Sequence, residues 1–103
     1  MLVNLGISIQ LPKNLAGFVL PRSGLATKHL ISPINSPGLI DPGYIGELMV
    51  PLMNYSDISY TVIRHERIAQ LVAITTSDLI FHEVDSLDLS DRSDGGFGST
   101  GKN

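Results

Sequence analysis

The residue types best suited to chemistry gather in one stretch, Asn35 to Glu47, which reads Asn-Ser-Pro-Gly-Leu-Ile-Asp-Pro-Gly-Tyr-Ile-Gly-Glu. It carries an acid (Asp41), a phenol (Tyr44) and a carboxamide (Asn35) within ten residues. Two Pro-Gly pairs bracket Leu39-Ile40, so the backbone must turn, run extended, and turn again at Asp41-Pro42-Gly43, the shape of a hairpin. Its glycines let a ligand approach the main chain, whose N–H and C=O groups can then read a flat heterocycle. A plain surface turn has the same local signature.

Two further strings have the chemistry of phosphate binding. In Pro21-Arg22-Ser23-Gly24-Leu25-Ala26, Arg22 offers a planar fork of donors, Ser23 a hydroxyl and Gly24 an unobstructed N–H; a turn with a solvated arginine is the alternative. Near the end of the chain, Gly96 to Lys102 spells most of a P-loop, but Asn103 stands where Ser or Thr should hold magnesium, and that reading fails. What survives is a set of backbone N–H groups with Ser99 and Thr100 that can wrap a phosphate, Arg92 that can pair with another, and Phe97 that can stack on a base. A disordered tail is the competing reading. His29 has no second imidazole at metal-ligand spacing.

The elements that must position these groups are short and apolar. Leu5, Ile7 and Ile9 alternate with polar or small residues as in a half-buried strand that Pro12-Lys13-Asn14 stops. Ala16 to Leu20 forms a second run, closed by Pro21, which delivers Arg22-Ser23-Gly24 to an irregular segment. Gly46 to Asn54 alternates again, with Leu48, Val50 and Leu52 on one face, and Pro51 places it at a sheet edge or a bulge. Tyr60, Val62 and Arg64 continue the strand pattern. Ile68 to Ile74 is too short for a helix and too apolar for an exposed strand, and its Gln70 is either hydrogen-bonded in the core or aimed at a ligand. Ile80 to Val84 is the last strand candidate. Asp85 to Asp94 then reads as a solvated acidic linker, although Glu83 and Asp85 also make a conceivable acid/base pair.

Composition narrows the function classes. The 103 residues are 43% apolar and 17% charged, the balance of one globular domain with an aliphatic core, small enough that oligomerisation would help it. The absence of cysteine excludes a thiolate nucleophile and a disulfide framework. A net charge of -3 argues against stable nucleic-acid or anionic-membrane binding. No apolar run reaches 18 residues and Met1 to Gln10 lacks signal-peptide features, so the expected location is cytoplasmic.

Together these strings resemble the trimeric dUTP diphosphatases (dUTPases), and the likeness covers nearly the whole chain. Pro21 to Ala26 is similar to the family's second motif, Asn35 to Glu47 to its third, Glu66-Arg67-Ile68-Ala69-Gln70-Leu71 to its fourth and Arg92 to Gly101 to its glycine-rich fifth, in the same order. The resemblance implies an all-β jelly roll, or β-clip, over residues 1–84, with 85–103 as linker and a flexible tail that closes over the nucleotide. It implies hydrolysis of dUTP to dUMP and pyrophosphate, with Asp41 as general base on the attacking water. Asn35 and the main chain around Leu39, Ile40 and Asp41 would read uracil. Tyr44 would lie under the deoxyribose and leave no room for a 2'-hydroxyl, with Met49 lining the same pocket. Arg22, Ser23, Gly24 and Gln70 would hold the phosphates, with Phe97 on uracil and Arg92, Ser99 and Thr100 at the phosphates from the tail. Mg²⁺ would arrive mainly on the substrate triphosphate, with no protein ligand assigned, and three subunits would share each site in a homotrimer.

Three departures from the family pattern stand out. His65 occupies a position where the family usually has glycine, so a left-handed backbone there would cost about 1 kcal/mol. Ser93 replaces another glycine. The family's first motif, of the type Ala-Gly-Tyr-Asp-Leu, should precede the strand near Leu2 and is not in this sequence, so an N-terminally shortened fold is expected, with nucleotide binding that outlasts catalysis. The alternative function is a catalytically impaired remnant that binds nucleotide or pairs with other subunits. A related deaminase acting on dCTP shares the fold, and there no such glycine-rich closure is expected.

Overall fold

The computed structural model describes residues 1–92 and Asp94. Among them the elements run β1 (Leu2–Ser8), β2 (Leu15–Pro21), α1 (Ser23–His29), β3 (Ile31–Pro33), β4 (Gly38–Ile40), β5 (Glu47–Asn54) and β6 (Ala69–Thr75). The strands form two antiparallel sheets, ordered β1-β5-β3 and β4-β2-β6. Two packed sheets are what a chain of short alternating strands needs to bury one face of each. The core between them is Leu25, Ile31, Val50, Leu52 and Ile68, with Val3, Val19, Tyr60, Val62 and Ala69 packed against it.

The alternation in β5 is realised: Leu48, Val50 and Leu52 are buried and Glu47, Met49 and Met53 are exposed. Pro51, however, is neither at an edge nor at a bulge, because β5 is the central strand of its sheet. The register shows how the missing donor is accommodated. Leu52 exchanges both backbone hydrogen bonds with Met1, so on the β1 side Pro51 falls at a position that needs no N–H. On the other side Ile34 donates to the Pro51 carbonyl at 2.8 Å, a return bond is impossible, and β3 ends at Pro33.

Other expectations are corrected by pairing. The strand at the start of the chain forms, but Leu5 and Ile7 remain 39% and 54% exposed, since β1 is an edge strand with an irregular register and little covers it. The segment after Pro21 is not irregular: Ser23–His29 is helical, anchored by the buried side chain of Leu25. The stretch around Leu39-Ile40 is not a self-paired hairpin. Pro37 and Pro42 flank it and lack N–H groups, and β4 takes its ladder from β2, with Val19 opposite Gly38 and Gly17 opposite Ile40. The apolar run before Thr76 is β6, paired with β2 from Leu15↔Thr75 to Pro21↔Ala69, and it is an edge strand despite its composition. Tyr60 and Val62 turn inward against the core, yet residues 58–64 join no ladder among the described residues. Ile80 to Val84 is likewise not a strand, and Phe81 is 90% exposed, because no described strand runs beside it.

His65 has φ 69, the left-handed conformation its glycine-like position foreshadowed. Relieving it is worth about 1–2 kcal/mol, and glycine's added freedom in the unfolded chain takes back about 0.5–1 kcal/mol. His65→Gly is therefore expected to gain about 0–1.5 kcal/mol, a rise in melting temperature of up to about 10 °C. A thermal melt showing a lower midpoint would refute the strain.

Candidate active site

Asp41 follows β4 directly, so the ladder to β2 fixes its main chain. The turn beyond it closes when the Tyr44 N–H donates to the Asp41 carbonyl at 3.0 Å, with Pro42 and Gly43 at the two central positions. Tyr44 then folds back, and its hydroxyl donates to the Glu47 carbonyl at 2.8 Å. Only glycine fits at position 46 in this arrangement, because a Cβ there would lie 2.6 Å from the tyrosine oxygen and 2.8 Å from Cζ. Asn35 is held close on the other side, its Nδ2 3.1 Å from where a Cβ on Gly38 would be.

These local features enclose a cavity of about 210 Å³. Asn35, Leu39, Ile40, Asp41, Tyr44 and Met49, six of the residues singled out from sequence, all line it. The buried side chains of Leu48 and Val50 also contribute, while Leu39, Tyr44 and Met49 are 58%, 42% and 44% exposed and present apolar surface to an incoming ligand. Asp41 is exposed and accessible to water.

Arg22, Ser23, Gly24 and Gln70 form a separate group that does not line this cavity. Arg22 is half-buried, whereas Ser23 and Gly24 are exposed at the start of α1. Gln70 lies opposite Leu20 in the β2–β6 ladder and donates from Nε2 to the Pro21 carbonyl at 2.9 Å, which sets it beside Arg22. Its carboxamide is thus exposed and tied to a strand end, not buried in the core. Arg92 is exposed, in a segment without helix or strand. Phe97, Ser99 and Thr100 lie outside the described residues. Glu83 and Asp85 are both exposed.

Two features escaped the sequence reading. Glu47 lines the cavity and also a neighbouring cleft of about 530 Å³ that includes Gly6, Arg64, His65 and Glu66. Its place on the same face of β5 as Met49 was the available signal. The second is a cluster before Arg67. The Tyr60 hydroxyl donates to Glu66 Oε1, the Ile63 N–H donates to Oε2 at 3.1 Å, and the His29 ring lies 4.7 Å from that of Tyr60. The Tyr60 hydrogen bond, then that of Ile63, hold the Glu66 carboxyl below its ordinary pKa, and the same contact with Glu66 pushes the Tyr60 phenol up.

Among the described residues no group of three or more His, Asp and Glu side chains is placed to hold a metal ion, and no helix is long and apolar enough to cross a membrane. Mg²⁺ keeps several waters and needs few protein ligands, so this donor set is compatible with it.

Comparison with known proteins identifies the family. The chain is 49% identical over 96 residues to a deoxyuridine 5'-triphosphate nucleotidohydrolase of Gloeobacter violaceus, covering 93% of this chain and 65% of that protein. It is 44% identical to the Maricaulis maris protein of the same name and 46% identical to that of Dictyoglomus turgidum, covering 66% and 69% of their lengths. The chain therefore spans about two thirds of the length of these relatives. Among solved structures, the Staphylococcus bacteriophage 80alpha dUTPase with dUPNHPP shares the fold, with a TM-score of 0.71 and 23% identity over 98% of this chain and 80% of that one. Because the dUTPase family model matches residues 1–101, almost end to end, the chain belongs to the dUTPase family.

Proposed function

We propose that this chain binds dUTP and hydrolyses it to dUMP and pyrophosphate, a reaction that supplies dUMP and keeps uracil out of DNA. The observation that carries the reading is the single cavity shared by Asn35, Asp41, Tyr44 and Met49. Among the described residues β4 is an edge strand, paired only with β2, so every second residue directs its N–H and C=O away from the sheet. Those groups near Leu39 and Ile40, with the Asn35 carboxamide, serve as a pairing edge for uracil. The Tyr44 ring, pinned by its hydroxyl, lies under the deoxyribose and occupies the space a 2'-hydroxyl would need. Asp41 accepts a proton from the water that attacks the α-phosphorus, and the P–O bond to the leaving pyrophosphate breaks. The triphosphate brings Mg²⁺ with it, and the ion supplies charge neutralisation.

Arg22, Ser23, Gly24 and Gln70 serve the phosphate chain. Since they do not line the cavity within one chain, the reading assigns them to a neighbouring subunit's site in a homotrimer, three subunits sharing each centre. Residues 1–84 act as the β core and 85–103 as linker and closing tail, bringing Arg92, Phe97, Ser99 and Thr100 over the nucleotide and excluding water. The protein acts in the cytoplasm on free nucleotide, without stable nucleic-acid or membrane binding.

The test is pyrophosphate release from dUTP, dCTP, dTTP and UTP in the presence of Mg²⁺, with oligomeric state measured by light scattering. Turnover of dUTP alone, by a trimer, is expected. Selective dUTP binding without release would establish instead a nucleotide-binding module, and equal turnover of dCTP would refute the uracil reading.

A further inference from the structure

Glu47 makes two contacts that meet at Tyr44. Its carbonyl oxygen accepts the Tyr44 hydroxyl at 2.8 Å, and its carboxylate Oε2 accepts the backbone N–H of Gly6 at 3.1 Å. The second contact reaches 41 residues along the chain and lands on a fault in β1. The β1–β5 ladder pairs Asn4 with Met49 and next Ser8 with Glu47, so Leu5, Gly6 and Ile7 stand opposite Leu48 alone, with Gly6 at φ 73. A ladder so interrupted leaves the Gly6 donor without a strand partner. The Glu47 side chain takes that donor.

The consequence concerns the start of β5. β1 is the edge strand, and in the irregular stretch Glu47 ties it back to the residue whose carbonyl holds the tyrosine. Leu5, from the same fault, lines the cavity beside Tyr44. Tyr44 is 42% exposed, so the position of its ring depends on that carbonyl and on the absence of a side chain at Gly46. Loss of the carboxylate leaves an exposed N–H that water can satisfy, a small matter for folding. It also leaves the Ser8↔Glu47 pairing alone to hold the carbonyl that sets where the ring lies.

We propose that Glu47 is a positioning residue for sugar discrimination: by clamping Gly6 of the β1 fault, it fixes the carbonyl that holds Tyr44 in place against ribonucleoside triphosphates. This rests on the reading of the cavity as the dUTP site.

The experiment measures Kd for the α,β-imido analogues of dUTP and UTP by calorimetry, so that no turnover is required. The UTP:dUTP Kd ratio is expected to fall about tenfold in Glu47→Ala and similarly in Tyr44→Phe, each having lost one hydrogen bond of the relay. Glu47→Gln should restore most of the ratio, because its amide oxygen can accept the same N–H. The double variant should fall no further than the lower single, since both act through one ring. Glu47→Ser, too short to reach Gly6, replaces the alanine variant if that one does not fold. A lower melting temperature with an unchanged ratio, additive losses, or discrimination lost in Glu47→Gln would each overturn the proposal. A wild-type chain that does not prefer the dUTP analogue would refute the reading of the cavity as well; one that does, with an equally selective Glu47→Ala, refutes only the role of Glu47.

Discussion

Asp41→Asn is expected to lower the turnover of dUTP by about 10²–10⁴-fold while leaving Kd for the nucleotide within a few-fold of wild type. The substitution is isosteric and removes the proton acceptor alone. The main chain around it does not depend on the carboxylate, because β4 is laddered to β2 and the turn is closed by the Tyr44 N–H on the Asp41 carbonyl. The cavity and the free edge of β4 should therefore persist. Binding and single-turnover kinetics on the same protein separate the two effects. A variant with near wild-type turnover would move the base elsewhere, and one that had lost binding equally would make Asp41 a contact residue and not the base.

Removal of residues 92–103 is expected to cost about 100-fold in turnover, the scale on which loss of correct reactive geometry acts. Every strand assigned among the described residues ends by Thr75, so the deletion leaves both sheets and the core of Leu25, Ile31, Val50, Leu52 and Ile68 in place. Melting temperature and oligomeric state should therefore be retained. The deletion takes away Arg92, Phe97, Ser99 and Thr100 together, the groups assigned to phosphate and base contact in the closed state. Full activity in the shortened chain would leave those residues without a part in the reaction. A fall in melting temperature matching the fall in rate would make the tail a structural element and not a closing one.

Much of the candidate site was legible because it is local. Asn35, Leu39, Ile40, Asp41 and Tyr44 lie within one stretch in which prolines restrict φ and glycines permit turns, so residue types alone bring an acid, a phenol and a carboxamide to one frame. The burial of Leu48, Val50 and Leu52 follows in the same way from the two-residue period of a strand. The left-handed backbone at His65 was visible in a position that resembles a glycine site.

Long-range pairing was not legible, because a strand's pattern tells which face is buried but not which strand lies beside it. The ladder alone put Pro51 in a central strand and made it harmless by pairing Leu52 with Met1. The ladder likewise took β4 to β2, set Gln70 beside Arg22 and left Ile80 to Val84 without a partner among the described residues. Types and short spacings thus determined the chemistry on offer and the local turns that present it. Only the tertiary structure decided that Glu47 would reach Gly6, and that Asn35, Asp41 and Tyr44 would line one cavity while Arg22, Ser23, Gly24 and Gln70 of the same chain stand apart from it. Both depend on register between segments that no local torsional preference relates.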